Sequence, residues 1–513
     1  MPGGLEYFND LEFYKRDDIA TRLEKLGVAK GSVRQIKVDK EEVGLFGSAS
    51  LKRVTLLNAF DQPLGMLLAI IRTAEQEKKG VYITKEIKNI EEDIIYRTEN
   101  LKFQESLGLL TPLFIHHEAL KEVTKVIHYE ALKGVTKGKQ EEQLYVLLLN
   151  YWEGPSADMD VIALRNAIHL RKKKLNSDNF ITCKDKERYS SEIKTLEDVL
   201  KDEIVLNALD TMVEFSTKTT DTVENNNFKL PNTKVKIEVV EDPFNFYISK
   251  RERQFKAMLY WNLVNRGERG IEEILMEGKD IKSLVADKWD TFNELVKPLS
   301  DYMFVEGKNV YSQGDQHLHH FKRVKLRDSD KTRMGLFDMG SVRMEDPIFG
   351  ASRLLASHLL GFNRAQIKDV YAKGYSDFVA KFKPGVDKRK LELAFELCTL
   401  IETMWGASRR ANDNLYNKEV YEAKAGLLGE KSRYYKNTLF PLIGLGSIEL
   451  PTYVDYRLFN PPTAIASSKR CVGDIMQGLR SDITSYYGEP NLEDHLKKLE
   501  EFLEKNIIET KIE

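Results

Sequence analysis

The chain has 513 residues, too many for one small core, and its 42% hydrophobic and 10% aromatic content is that of a globular protein. A formal net charge of -2 against 31% charged residues provides no overall field to draw in nucleic acid or an anionic membrane. Cys183, Cys398 and Cys471 make no disulfide framework, the start MPGGLEYFNDLEFYKRDD has no apolar signal core, and no apolar run nears the roughly 20 residues of a membrane helix, so a cytoplasmic setting is expected.

In chain order, a helix is expected over 18–26 and a strand over 33–38. The stretch GLFGSASLKRVTLL then sets Gly44 and Gly47 beside Ser48, Ala49 and Ser50, between two β-prone runs. Such a loop lets backbone amides approach phosphate closely, and it is equally the mark of an ordinary hairpin turn. After a turn at 61–65, residues 66–71 read as a buried strand ending in Arg72. Ile87, Ile90, Ile94, Thr98 and Leu101 recur at three- and four-residue intervals, an amphipathic helix that carries Glu99. Residues 126–134 form an apolar run into Glu-x-Leu-x-Gly, at Glu130, Leu132 and Gly134.

From about residue 138 the pattern turns helical, with apolar spacing over 143–152, 161–175, 191–206 and 251–264. The Thr- and Asn-rich stretch 217–232 reads as a loop. Helices are expected over 365–382 and 388–404, with Cys398 on a buried face and Trp405 as a packing residue. A Pro461-Pro462 loop precedes a final helix, which Asn491 is placed to cap.

Two acidic signals lie within this region, VYSQGDQHLHHF and GLFDMGSVRMEDP. In each an aspartate, Asp315 or Asp338, ends a short apolar run where a strand gives way to a loop. Phosphoryl transfer needs such a pair: one carboxylate orients an attacking hydroxyl and a second holds magnesium against the nucleotide phosphates. His317, His319 and His320 leave another reading open, a metal-dependent hydrolase, although no second ligand set at comparable spacing is evident.

The order Gly314-Asp315-x-His317, then a strand ending in Asp338 with Asp346-Pro347 beyond, resembles the aminoglycoside phosphotransferase and choline kinase superfamily. The continuation Ser352-Arg353-Leu354 is also similar to an uncharacterised bacterial kinase-like group. The resemblance implies an α+β, two-lobed protein-kinase-like fold. Residues 1–134 would form a small antiparallel β-rich N-lobe, 135–300 a helical C-lobe segment with an insertion, and 301–513 the catalytic core and C-terminal helices.

It further implies ATP as donor, magnesium or manganese as cofactor, and a hydroxyl-bearing small molecule of unknown identity as acceptor. At the matching positions, Asp315 is the catalytic carboxylate with His317 in support, and Asp338 and His320 are metal ligands. Gly47, Ser48, Ala49, Ser50 and Arg72 hold phosphates, with Glu99 fixing Arg72, while Glu130 and Leu132 offer backbone groups to adenine. Apart from the resemblance, Arg72 is equally a surface arginine and Glu99 one more solvated acid. The chain departs from the family pattern at Gln313, where a His is usual, at His320, where an Asn binds metal, and at Gly350, where an Asp often stands. The first and third bear on loop support. Because magnesium prefers oxygen ligands, the second leaves open a catalytically inactive, kinase-like binding or scaffold protein.

Overall fold

Five strands form one antiparallel sheet in the order β1-β2-β3-β5-β4: β1 (Gln35–Val38), β2 (Ser50–Leu57), β3 (Pro63–Thr73), β4 (Phe114–Lys125) and β5 (Gln140–Asn150). The computed structural model describes residues 8–39, 50–73, 90–125, 140–152, 156–176, 182–264, 281–325, 332–416 and 461–508. The chain divides into two units. The first comprises Met1–Gly154, Lys218–Glu238 and Val324–Val342, and the second Pro155–Thr217, Val239–Arg323 and Arg343–Glu513.

In the first unit, alternation along the strands decides what is buried. Val54 and Leu56 of β2, Leu67, Ala69 and Ile71 of β3, and Val146 and Leu148 of β5 share a core with Phe13, Tyr14, Ile19 and Leu23. The last four come from helices α1 (Leu11–Lys15) and α2 (Asp17–Lys25). Helix α3 (Ile90–Ser106) lies against β4 and β5. Every residue from Tyr145 to Leu149 is buried. That burial explains one departure: the helix expected over 143–152 is strand β5. A run that is apolar at every position fits a buried helix or a strand buried on both faces, and pairing with β3 and β4 selects the strand.

The second unit is mostly helical. Helix α4 (Ala157–Leu175) is followed by α5 (Cys183–Val199), which runs through a π turn, Leu200–Leu206, into α6 (Asn207–Asn225). Then come α7 (Glu252–Val264), α8 (Ile281–Val296), α9 (Pro347–Leu355), α10 (Arg364–Gly374), α11 (Ser376–Phe382), α12 (Lys388–Tyr416), α13 (Pro461–Asp482) and α14 (Glu493–Leu503). A three-stranded sheet, β6-β10-β7, joins β6 (Glu238–Val239), β7 (Val310–Ser312) and β10 (Arg343–Glu345), and β8 (Phe321–Lys325) pairs with β9 (Thr332–Leu336). Cys398 is fully buried, and Trp405 packs 5.9 Å from Phe255 and 6.1 Å from Phe292 by ring centroids. No helix among the described residues is long and apolar enough to cross a membrane.

Several local expectations are corrected. The start of the supposed 217–232 loop is helical as far as Asn225, with Thr219, Thr220 and Val223 wholly buried, so packing overrides the low helix propensity of threonine. The 365–382 helix is two helices parted at Tyr375. Pro461 opens α13 instead of lying in a loop, a position where its missing N–H costs nothing. Asn491 lies in a 3-10 turn, and α14 starts without a side-chain cap.

Candidate active site

Strand β7 pairs antiparallel with β10, setting Ser312 opposite Arg343 and Val310 opposite Glu345. The chain leaves β7 through Gly314 at φ 79, a left-handed conformation that suits glycine, and Asp315 follows. Behind this turn lies a buried polar network centred on Glu345. That fully buried carboxylate accepts from the Tyr247 hydroxyl at 2.6 Å, the Ser312 hydroxyl at 2.6 Å, Arg343 Nε at 2.8 Å and the Gln316 amide at 3.1 Å. Burial pushes its pKa up, but Arg343, Arg353 and the hydroxyl donors hold it at about 2. Arg343 and Arg353 both donate to the Gly314 carbonyl, and Arg353 also reaches Gln316 Oε1 at 3.2 Å. Arg353 in turn faces Glu402 at 3.8 Å, and Glu402 pairs with Arg251 at 3.0 Å.

The catalytic-loop candidate is thus clamped by its backbone. The Asp315 amide donates to Gln313 Oε1 at 2.8 Å, so Gln313 supports the loop. Asp315 keeps 41% of its side chain exposed and accepts from His317 Nε2 through Oδ1 at 3.0 Å. Burial raises its pKa, yet His317, then His320 and Arg353, hold it well below the usual carboxylate range. Burial also depresses His317, and a neutral imidazole carrying its proton on Nε2 still makes this bond.

His320 is buried with Nδ1 2.6 Å from the Asp315 carbonyl and 3.2 Å from the Gln313 amide, so one ring nitrogen serves the loop itself. Among the described residues, no three His, Cys, Asp or Glu side chains are placed to share a metal ion. Asp346 caps α9 through the Ile348 amide at 2.9 Å and pairs with Lys383 at 2.7 Å. At Gly350 a Cβ would meet Met212 Cε at 2.9 Å and the Tyr375 hydroxyl at 3.2 Å, so the aspartate of the family pattern has no room.

Asp338 belongs to the first unit, beyond β9. Among the described residues it is one of the few non-glycine residues with positive φ, at φ 66 and ψ 83. Its Oδ1 accepts from the Gly340 amide at 3.2 Å and from Arg97 Nη1 at 2.6 Å. Arg97 Nε bonds both oxygens of Asp93, at 3.1 and 3.0 Å, one turn earlier on α3. The same helix holds the following turn, since Tyr96 donates to the Val342 carbonyl and Gln104 approaches Met339 Sδ at 3.1 Å. Burial lowers the Arg97 pKa, but Asp93 and Asp338 together raise it, so it stays charged.

Of the remaining expected residues, Glu99 pairs with Lys102 at 2.9 Å on its own helix. The acid of α3 that is linked to the second motif is Asp93. Ser50 opens β2 opposite Ile71, and Arg72 lies opposite Tyr145, which brings the start of β2 and the end of β3 to one end of the sheet. Their side chains, and Gly47, Ser48, Ala49, Glu130 and Leu132 altogether, lie outside the described residues. The stretch carrying Glu130 and Leu132 joins β4 to β5, which are neighbours in the sheet.

Sequence reasoning missed Arg97, Asp93, Arg343, Glu345 and Glu402. One signal for two of them was present: Arg343 and Glu345 alternate on a single short strand, so they share a face. A divalent cation requires several oxygen ligands. Asp338 Oδ1 is bonded to a guanidinium and His320 Nδ1 is turned to a carbonyl, so neither of these two atoms, as placed, is open to magnesium or manganese.

The chain is similar to small-molecule kinases of known structure. The GDP complex of wild-type aminoglycoside 2'-phosphotransferase-IIIa matches with 10% identity and a TM-score of 0.36, over 82% of this chain and 98% of that one. Choline kinase from Cryptosporidium parvum matches with 10% identity and a TM-score of 0.37, over 80% and 92%. An ethanolamine kinase from Plasmodium vivax matches with 8% identity and a TM-score of 0.29, over 75% and 78%. These come from the group that the sequence motifs resemble, but overlaps this loose have no bearing on what this chain does. No protein-family model matches it, and no curated protein matches its sequence.

Proposed function

We propose that the chain is a phosphotransferase that moves the terminal phosphoryl group of ATP to a hydroxyl of a small molecule. The observation that carries this reading is the setting of Asp315: an ionised, part-exposed carboxylate on a loop whose Gly314 carbonyl is gripped by two buried arginines. Phosphoryl transfer asks little covalent chemistry of a protein and much positioning. With Oδ1 tied to His317, the other oxygen of Asp315 receives the acceptor's hydroxyl proton. A carboxylate of low pKa suits orienting that hydroxyl better than deprotonating it early. The 47–50 loop and Arg72 hold the phosphates in this reading, supported by the pairing of Ser50 with Ile71, the residue before Arg72, at one end of the sheet. Glu99 steadies Arg72, and Glu130 and Leu132 receive the adenine. No step is routed through a metal ion.

One observation favours a second reading, nucleotide binding without turnover: the carboxylate of Asp338 is already paired with Arg97. The two separate in one experiment on the purified full chain. ATP and GTP consumption is screened against pools of hydroxyl metabolites with magnesium or manganese, and nucleotide binding is followed by calorimetry. The expected result is turnover that Asp315→Asn slows, raising the activation free energy by on the order of 3 to 5 kcal/mol. Full activity in that variant rejects the assignment, and binding with no consumption under any acceptor selects the second reading.

A further inference from the structure

We propose that Arg97 stands on Asp338 in the place of a divalent cation, so that metal reaches this carboxylate only when the guanidinium is displaced. The inference rests on the proposed function only in treating Asp338 as the carboxylate on the phosphate side.

The geometry is that of a built pair. Arg97 is 12% exposed, donates through Nη1 to Asp338 and through Nε to Asp93, and so bridges two carboxylates as a divalent ion would, but with a single charge. Asp93 is more deeply buried still, at 5% side-chain exposure, and holds the guanidinium four residues along its own helix. The turn beyond Asp338 is shaped to admit it. The guanidinium lies over Gly340, where any Cβ would overlap it, while the Gly340 amide donates to the same Asp338 oxygen. Asp338 itself takes a left-handed backbone conformation that few non-glycine residues among those described adopt. A solvated surface ion pair would need none of these features.

The test reads manganese binding directly, by electron paramagnetic resonance of the free ion, on the full chain without nucleotide or turnover. Wild type is expected to bind weakly. Arg97→Gln should bind about tenfold tighter or more, the factor that one charge-assisted hydrogen bond is worth. Because that variant leaves Asp93 buried without its cation, the double variant Asp93→Asn/Arg97→Gln provides the same measurement with the charge removed, and it should show the same gain. Arg97→Lys, which keeps the charge, should stay near wild type. Adding Asp338→Asn should abolish the gain. No tightening in variants that melt like wild type overturns the proposal, as does a gain that survives Asp338→Asn. Since no phosphoryl transfer is read, failure here leaves the Asp315 assignment standing, and failure of that assignment leaves this one.

Discussion

His317 Nε2 lies 3.0 Å from Asp315 Oδ1, and this pair joins two groups whose pKa values are both depressed. Burial keeps His317 neutral in the folded protein, whereas a free imidazole takes up a proton below about pH 6.5, so stability falls as the pH drops through that region. Asp315, ionised in the fold, contributes stability above the unfolded carboxylate pKa and loses it as the pH falls through its lower folded value. Both effects have one sign. Thermal melts of wild type and His317→Ala should differ most near pH 7 and converge as the pH falls towards 3. A gap that widens on acidification contradicts the pairing.

Glu345 allows a second pH prediction. Its carboxyl, held at about 2 against an ordinary 4.5, stabilises the fold above pH 4.5, and that contribution is lost as the pH falls towards 2. The difference corresponds to about 3 kcal/mol at neutral pH. In denaturant unfolding, Glu345→Gln should be less stable than wild type by at least this order near pH 7, because Arg343 and the Tyr247 hydroxyl also lose their anionic partner. The gap should shrink at acid pH.

At Gly340 a methyl group would collide with the Arg97 guanidinium, the mobile end of a long side chain. Gly340→Ala should therefore fold and melt close to wild type while pushing Arg97 away from Asp338. Manganese affinity should rise in the same direction as in Arg97→Gln. A Gly340→Ala protein with wild-type affinity shows that the guanidinium can shift without leaving the carboxylate.

Gly350 is a packing constraint, with Met212 and Tyr375 closing on it. Gly350→Asp should destabilise by about 3 kcal/mol or more, since it adds both volume and an unpaired charge to a buried helix. Gly350→Ala should cost about 1 kcal/mol, because the Met212 methyl can give way. Calorimetric melting temperatures check the order.

Local pattern determined the β-prone run of β2, the short apolar run of β3 after its turn, the helix carrying Ile94, Thr98 and Leu101, and the two places where an aspartate ends an apolar run, because periodicity and turn chemistry act over a few neighbouring residues. The uniformly apolar 145–149 run carries no period, and only burial between strands made it a strand. The charge partners were equally illegible. Arg97 meets Asp338 across 241 positions, and Arg343 and Arg353 reach the Gly314 carbonyl across 29 and 39. A charged residue in a sequence full of charges does not announce its counter-ion. Tertiary packing alone decides which arginine is taken out of water beside which carboxylate, and with that the electrostatics of Asp315 and Asp338.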